Sequence, residues 1–157
     1  MYFQKNNQLS DLSNYKSTTY EEYLEKNGKL TYRNIGTSME PMLKQGRDLF
    51  TVKKKTAQRC KKYDVVLYRR SPNYYVLHRV IKVRDKDYVI LGDNCINKEY
   101  GITDGDILGV MTEFVRKGHV YKVSNKIYML YSRIWVATYR LRRIILGLKA
   151  QSHKIKK

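Results

Sequence analysis

The spacing of apolar residues changes twice along this chain, and these changes limit the folds that it can adopt. From Leu30 to Val123, short segments with apolar residues at every second position are separated by turn residues such as Gly46 and Gly118. A period of two is typical of β-strands with one buried face, whereas the period near 3.6 on either side indicates helices. The segment Tyr63–Arg69 contains a continuous apolar run, which predicts a strand buried on both faces. We therefore expect a mainly β, antiparallel fold between two helical ends.

The alternating region predicts a series of short strands. They are expected at residues 30–35, 48–53, 63–69, 74–83, 88–91, 106–115 and 120–123. Before them, Thr18 and Glu21 fit the N-cap and the third helical position of a capping box, and Gly28 suits the end of that helix. Because a helix of this length is not stable alone, it must pack against the strands.

Helical spacing returns near the end, in a segment that is both apolar and basic. One stripe consists of Ile127, Leu130, Ile134, Thr138, Leu141, Ile145 and Leu148, and basic residues interrupt the sequence between them. Such an amphipathic helix, or pair of helices, can pack on the β domain or lie on a membrane surface. We therefore expect a flexible N-terminus at 1–16, a β domain at 17–123 and a basic helical segment at 124–157.

The charge of the chain is strongly positive and unevenly distributed. The formal net charge is +18, and twelve Lys or Arg but no acidic residue follow Glu113. Such a tail can meet anionic lipid, nucleic acid or an acidic polypeptide, or it can be a solvated face. No helix-turn-helix or stacked-aromatic RNA-binding motif is present, so nucleic acid is not expected. Contact of the helix with an anionic membrane surface is favoured slightly over packing on the β domain.

The two cysteines, Cys60 and Cys95, form neither a CxxC pair nor a Cys/His cluster with zinc spacing. We therefore expect free thiols in a reducing compartment, with no metal and no other cofactor. The first residues are polar and no run of about 18 apolar residues occurs, which predicts neither a signal peptide nor an ordinary transmembrane helix. Together these features indicate a cytoplasmic protein that can associate peripherally with a membrane.

The stretch Gly36–Leu43 places a hydroxyl nucleophile on a turn. Gly36 permits a tight turn, and Pro41 fixes its own φ and biases the preceding residue away from helix. Ser38 lies between them. A serine hydroxyl needs a base within hydrogen-bond reach, and His78, flanked by valines two positions away on a predicted strand, is the best candidate. The alternative is an ordinary surface turn and a buried structural histidine.

Four motifs occur in a characteristic order. They are Gly-x-Ser-Met-x-Pro around Ser38, Asp-Val-Val at 64–66, Leu-His-Arg-Val around His78, and Gly-Asp-Asn at 92–94. Over roughly residues 30–115 the chain thereby resembles the type I signal peptidases, in the variant that pairs serine with histidine. The resemblance implies a signal-peptidase/LexA-like coiled antiparallel β-sheet. The related self-cleaving repressors use lysine as the base, so the histidine here favours the peptidase.

The resemblance implies a serine endopeptidase that cuts an extended leader or signal-like peptide after a small residue. Ser38 attacks the scissile carbonyl, and His78 takes its proton and later protonates the leaving amine. In endoplasmic-reticulum-type relatives, an aspartate six positions after that of Gly-Asp-Asn orients the base, and this position is Glu99 here. Asp93 is expected to hold the loop or to contact His78. Two nearby acids, Asp104 and Asp106, are further alternatives.

Donors for the developing oxyanion are expected in the serine turn. The backbone N–H of Ser38 is the first candidate. Many lysine-dependent relatives carry a serine where this chain has Gly36, and Thr37 is a poor substitute because neighbouring side chains often diverge. Met39 and Pro41 complete the expected oxyanion and substrate-binding segment.

A second hypothesis is not enzymatic. The domain would then be a peptide-, membrane- or nucleic-acid-binding module that uses its basic C-terminal segment. The lack of an apolar anchor departs from most signal peptidases, and it indicates either a specialised substrate, such as the leader of a small precursor peptide, or docking through the C-terminal helix.

Overall fold

The computed structural model describes residues 19–72 and 74–145, and its main feature is one eight-stranded antiparallel sheet. The strands are β1 Lys29–Arg33, β2 Leu49–Lys54, β3 Val65–Ser71, β4 Tyr74–Val83, β5 Tyr88–Leu91, β6 Glu99–Ile102, β7 Ile107–Arg116 and β8 His119–Lys122. Helix α1 is Tyr20–Asn27, a 3₁₀ turn occupies Asp104–Asp106, and α2 (Lys126–Ala137) and α3 (residues 139–145) follow β8. The mainly β fold with helical ends confirms the sequence prediction. The segment expected to be flexible, 1–16, lies outside the described residues.

The strand order places β4 inside the sheet. The order is β1-β2-β7-β3-β4-β5-β6, and β8 pairs with β7 outside this path. Strands β3 and β4 form a hairpin whose register sets Val66 opposite His78. Because β3 and β5 flank it, β4 is buried over Leu77–Val80, and the histidine is enclosed.

Most strands are present with shifted ends, and one strand is not foreseen by the sequence pattern. Strands β4 and β5 have the predicted bounds, and β3 is buried continuously over Val65–Tyr68, as expected. Strand β6 was not predicted because it begins with Glu99 and contains Gly101 at a φ of +75°, two residues with weak strand preference. The omission matters because β6 carries Glu99, one of the candidate site residues, into the sheet.

The N-terminal capping box lies one residue later than predicted. The Thr19 hydroxyl accepts from the backbone N–H of Glu22 at 3.1 Å, and the Glu22 carboxylate accepts from the Thr19 N–H at 3.1 Å. The prediction of Thr18 as the N-cap was therefore wrong by one position. Both registers have threonine three residues before glutamate, and the observed helix buries Tyr20 and Leu24 in the core.

The serine turn, residues 36–43, is anchored in the hydrophobic core. Met39, Met42 and Leu43 are at most 2% exposed and pack with α1 and with the sheet. Burying such a side chain contributes roughly 1.5–3 kcal/mol. The turn is thus a firm support for Ser38 rather than a loose surface loop.

Helix α2 packs on the domain, but not through the apolar stripe seen in the sequence. Its N-cap is Asn125, whose side chain accepts from a backbone N–H in the first turn at 2.8 Å. The face toward the domain carries Tyr128, Tyr131, Ser132 and Trp135, whereas Ile127, Leu130 and Ile134 are exposed. Within the described residues, neither α2 nor any other helix combines the length and apolar content needed to span a membrane.

Candidate active site

The serine turn connects β1 to β2 and is closed by a buried asparagine. The Asn34 side-chain amide donates to the carbonyl of Gly36 at 3.1 Å and to that of Leu43 at 3.2 Å, at the two ends of the turn. Gly36 has a φ of +84°, a left-handed conformation that glycine adopts without strain. These features fix the backbone around Ser38, which lies half-buried at a cleft.

The two ring nitrogens of His78 are in different situations. The residue is only 4% exposed. Its Nδ1 lies 3.0 Å from Oε1 of Glu99, whereas Nε2 is buried and has no hydrogen-bond partner among the described residues. Buried polar atoms are nearly always hydrogen-bonded, so an unpartnered nitrogen at a cleft needs an explanation in terms of a ligand, a water or a reaction.

Glu99 is held as a carboxylate by several donors. Tyr68 donates to Oε2 at 2.7 Å, Arg70 Nε donates to the same oxygen at 2.9 Å, and a second Arg70 nitrogen donates to Oε1. Burial alone would raise the pKa of Glu99, but hydrogen bonds from His78, Arg70 and Tyr68 outweigh burial and lower the pKa to about 2. An ionised carboxylate only accepts, so Nδ1 of His78 carries the proton. The lone pair is therefore on Nε2, as a general base requires.

The loop after β5 lies between the serine turn and His78. A Cβ added at Gly92 would come within 2.8 Å of both His78 Nε2 and the Ser38 carbonyl oxygen, so no side chain fits there. The backbone N–H of Asn94 donates to the same Ser38 carbonyl at 2.8 Å, and its side chain donates to the Thr37 carbonyl at 3.3 Å. The loop thereby brings the backbone of Ser38 close to the unpartnered histidine nitrogen.

Asp93 does not contact His78, which corrects its inclusion among the candidate catalytic residues. Its carboxylate accepts from Arg79 Nε at 2.8 Å and from a terminal nitrogen of the same guanidinium at 2.7 Å. Its carbonyl accepts from Trp135 Nε1 at 3.1 Å and from Arg142 at 2.6 Å. The reason is the strand geometry: His78 and Arg79 are adjacent on β4 and point to opposite faces. Asp93 has the other role predicted for it, which is to hold the loop.

The two further acids considered also lie away from the histidine. Asp104 forms ion pairs with a lysine at 3.0 Å and an arginine at 3.1 Å. Asp106 accepts from the backbone and the hydroxyl of Thr103 at 2.8 and 2.7 Å. Glu99 is therefore the candidate acid that the structure brings to His78.

A cleft of about 430 Å³ opens beside Ser38, lined by the serine turn, the first half of β4 and the loop after β5. Gly36 and Thr37 line it, in keeping with the expected substrate-binding segment. The structure corrects the other two positions. Met39 is 1% exposed because its side chain anchors the turn in the core, and Pro41 is exposed outside the cleft.

The sequence interpretation missed three residues that shape the site: Asn34, Tyr68 and Arg70. Tyr68 and Arg70 are two positions apart on β3, so they share a face of that strand. The register sets Tyr68 opposite Val76, which lies on the same face of β4 as His78. Alternation along β3 could have grouped the two residues, but only the fold shows that both donate to Glu99, the carboxylate beside His78.

Both cysteines are free thiols, as the sequence predicts. Cys95 lies in the same loop as Gly92 and lines the cleft. Burial raises the pKa of its thiol, and the nearby Glu99 raises it further, so the group is held protonated. It therefore lacks the thiolate character of a nucleophile, which leaves Ser38 as the candidate.

No family model, curated protein or solved structure was found to match the chain. The functional argument therefore depends on the geometry of the site and on the order of the sequence motifs.

Proposed function

We propose that the chain is a serine endopeptidase with Ser38 as nucleophile, His78 as general base and Glu99 as the carboxylate that orients the base. The observation that carries this proposal is the state of His78. One nitrogen is bound by an ionised carboxylate, and the other is buried next to the backbone of Ser38 and has no partner among residues 19–72 and 74–145. A structural histidine would have both nitrogens satisfied, whereas a general base must keep one lone pair free for the nucleophile.

The proposed reaction begins when the Ser38 hydroxyl attacks the scissile carbonyl and His78 Nε2 takes its proton. Glu99 remains ionised and stabilises the imidazolium that forms. We assign the backbone N–H of Ser38 as a donor to the developing oxyanion. His78 then protonates the leaving amine, the C–N bond breaks, and an acyl group stays on Ser38. Water, deprotonated by His78, attacks this ester and releases the acid and free Ser38.

The substrate class that fits the site best is an extended polypeptide. The cleft lies along the beginning of β4 and beside the serine turn, where a peptide chain can reach Ser38. Extended peptides are commonly bound by backbone hydrogen bonds, with pockets for alternate side chains. The resemblance to signal peptidases further suggests that the substrate has a small residue before the scissile bond. It also suggests that the natural substrate is a leader or signal-like precursor.

A non-enzymatic binding module is the competing proposal, and one observation favours it. The apolar stripe of α2 is exposed instead of buried, as expected for a helix that binds something else. This observation does not explain the unpartnered nitrogen of His78, which lies at the cleft and not at the stripe. The two proposals are also compatible, because an enzyme can have a docking surface.

Labelling with a fluorophosphonate probe tests the enzyme proposal without knowledge of the substrate. Intact-mass and peptide mapping should show one adduct on Ser38 of the wild type, none in Ser38→Ala and very little in His78→Gln. Ser71→Ala is the matched control, because Ser71 is an exposed serine on β3 and its loss should not change labelling.

Two results would reject the enzyme proposal. One is equal labelling of the wild type and Ser38→Ala, which would place the reactive group elsewhere. The other is a folded wild type that does not react at all, together with salt-sensitive binding to anionic lipid or DNA, which would support the binding module.

A further inference from the structure

Each of the two C-terminal helices exposes a group of large apolar side chains, which is unusual for a surface that remains in water. Together these two groups are called the stripe. On α2, Ile127 is 79% exposed, Leu130 58% and Ile134 53%. On α3, Leu141 is 60% exposed and Ile144 61%. Helical spacing places the side chains of each group on one side of their helix. A stripe of large aliphatic residues at this exposure marks a surface that is covered in the functional state.

The stripe cannot turn inward, because the opposite face of α2 is fixed to the domain. Ser132 Oγ accepts from the buried Arg79 guanidinium at 2.9 Å, and the Tyr128 hydroxyl accepts from it at 3.2 Å. Trp135 donates to the Asp93 carbonyl at 3.1 Å. Rotation of the helix would leave Arg79 and Asp93 without these partners in a buried position. The stripe is therefore the outer face of the native fold.

The charges around the stripe indicate which kind of partner can cover it. The exposed basic residues of the two helices are Lys126, Arg133, Arg140 and Arg143. No acidic residue follows Glu113 anywhere in the chain, so these cations have no acidic neighbours on their own helices. A surface with aliphatic side chains flanked by Lys and Arg matches an anionic lipid headgroup layer above acyl chains. Nucleic acid would satisfy the charges but would leave the isoleucines in water.

From these observations we infer that α2 and α3 form an interfacial membrane-docking element, which inserts the stripe among the lipids of an anionic membrane surface. This inference is independent of the peptidase proposal. It also assigns the two faces of α2 different tasks. The inner face holds the Gly92–Asn94 loop beside Ser38, and the outer face binds lipid. Docking would thus hold the loop beside Ser38 to a helix that lies at the membrane surface.

Vesicle flotation with the full chain tests the inference. Wild type should float with phosphatidylglycerol-containing vesicles and bind poorly to pure phosphatidylcholine vesicles, and high salt should weaken the binding. The apolar variant Ile127→Gln/Leu130→Gln/Ile134→Gln should lose at least about tenfold in affinity for each side chain that inserts fully. The basic variant Arg133→Gln/Arg140→Gln/Arg143→Gln should lose about fivefold per charge near the surface. Glutamine keeps helix propensity, so α2 should remain folded.

Matched variants elsewhere on the domain test whether binding depends on where the altered residues lie, rather than on how many apolar or basic residues are removed. Val83→Ser/Tyr100→Ser/Val120→Ser removes exposed apolar groups from the sheet, and Lys53→Gln/Lys82→Gln/Lys86→Gln removes the same charge as the basic variant. Neither should reduce binding as much as the helix variants. All four should keep the wild-type thermal midpoint and the wild-type rate of Ser38 labelling.

Three outcomes would overturn the inference. The first is equal binding to anionic and neutral vesicles, and the second is undiminished binding of the apolar variant to anionic vesicles. The third is a wild type that does not bind vesicles but forms a concentration-dependent dimer in gel filtration, with no dimer in the apolar variant. The last would show that a second copy covers the stripe. Truncation before Asn125 is not a suitable test, because it would remove Tyr128 and Ser132 from Arg79.

Discussion

Two carboxylates in the segment after β5, Asp93 and Glu99, were both candidates to orient the histidine, and the structure gives them opposite environments. The Asp93 side chain is 2% exposed and its partner Arg79 is 1% exposed, whereas the Glu99 side chain is 21% exposed beside a His78 side chain at 5%. The charged groups of Asp93 and Arg79 form hydrogen bonds with each other and with several further groups. Glu99 and His78 lie at a cleft, and Nε2 of His78 has no hydrogen-bond partner in the part of the chain that the structure describes.

The comparison separates a structural ion pair from the pair that we propose to be catalytic. The Arg79 guanidinium donates to Asp93, Ser132 and Tyr128, so the buried charges are fully hydrogen-bonded. Breaking such a pair is costly because it leaves one charge buried without a partner. The Glu99–His78 pair is satisfied on the carboxylate side only. The proposed general base needs this free nitrogen to take the proton of the Ser38 hydroxyl.

The largest effect on stability is expected from Asp93→Asn. This change leaves the Arg79 charge without its carboxylate and should lower the free energy of unfolding by about 3–5 kcal/mol, measured by urea denaturation. The control is Glu113→Gln, which breaks the exposed Lys29–Glu113 pair and should cost at most about 1 kcal/mol. Similar costs for the two variants would show that the Arg79–Asp93 pair does not anchor the structure.

An intermediate effect is expected from the pH dependence of stability. The pKa of Glu99 in the folded protein is about 2, below its ordinary value of 4.5, so its ionised form stabilises the fold above pH 4.5. A shift of this size corresponds to about 3 kcal/mol, which solvent screening of the partly exposed carboxylate reduces to on the order of 2 kcal/mol. This contribution is lost as the pH falls from about 4.5 to 2. Thermal unfolding should therefore show wild type more stable than Glu99→Gln at pH 6, with the difference vanishing near pH 2.

Asp48 provides the internal reference for that experiment. Its pKa is also about 2, because the hydrogen bond from Arg47 is the main influence on it. Both proteins keep Asp48, so both should lose stability in acid and only the difference reports on Glu99. A difference that stays constant with pH would mean that Glu99 is not ionised by these contacts.

The smallest effect is expected from Tyr68→Phe. This variant removes one hydrogen bond to Glu99 while Arg70 and His78 keep theirs, so it should cost about 1 kcal/mol in stability. Probe labelling of Ser38 should slow by about tenfold at most. Tyr88→Phe is the matched control, because this buried tyrosine donates to Asp104 at 2.5 Å, away from the histidine. It should destabilise without slowing the labelling, and equal slowing would contradict a specific role for Tyr68.

The sequence was most informative where a pattern is long and local. The ten-residue strand β4 and the turn around Ser38 follow from alternation and from glycine and proline, whereas Glu99 was named only through the resemblance to signal peptidases. The partner of Asp93 could not be foreseen, because it depends on which face of β4 the loop returns to. The face that α2 turns toward the domain also could not be predicted from the sequence. Its packing face consists of Tyr128, Tyr131 and Trp135, large rings with polar atoms that rank below isoleucine in hydropathy but bury more surface.

The central claim is that His78 and Glu99 act on Ser38 as one unit, and a double-mutant cycle on the rate of fluorophosphonate labelling tests it most directly. His78→Ala and Glu99→Gln should each slow labelling of Ser38 by about a thousandfold or more. The double variant should be no slower than His78→Ala alone, because residues that act as a unit are not additive. Additive losses, or a Glu99→Gln protein that reacts at the wild-type rate, would contradict the account.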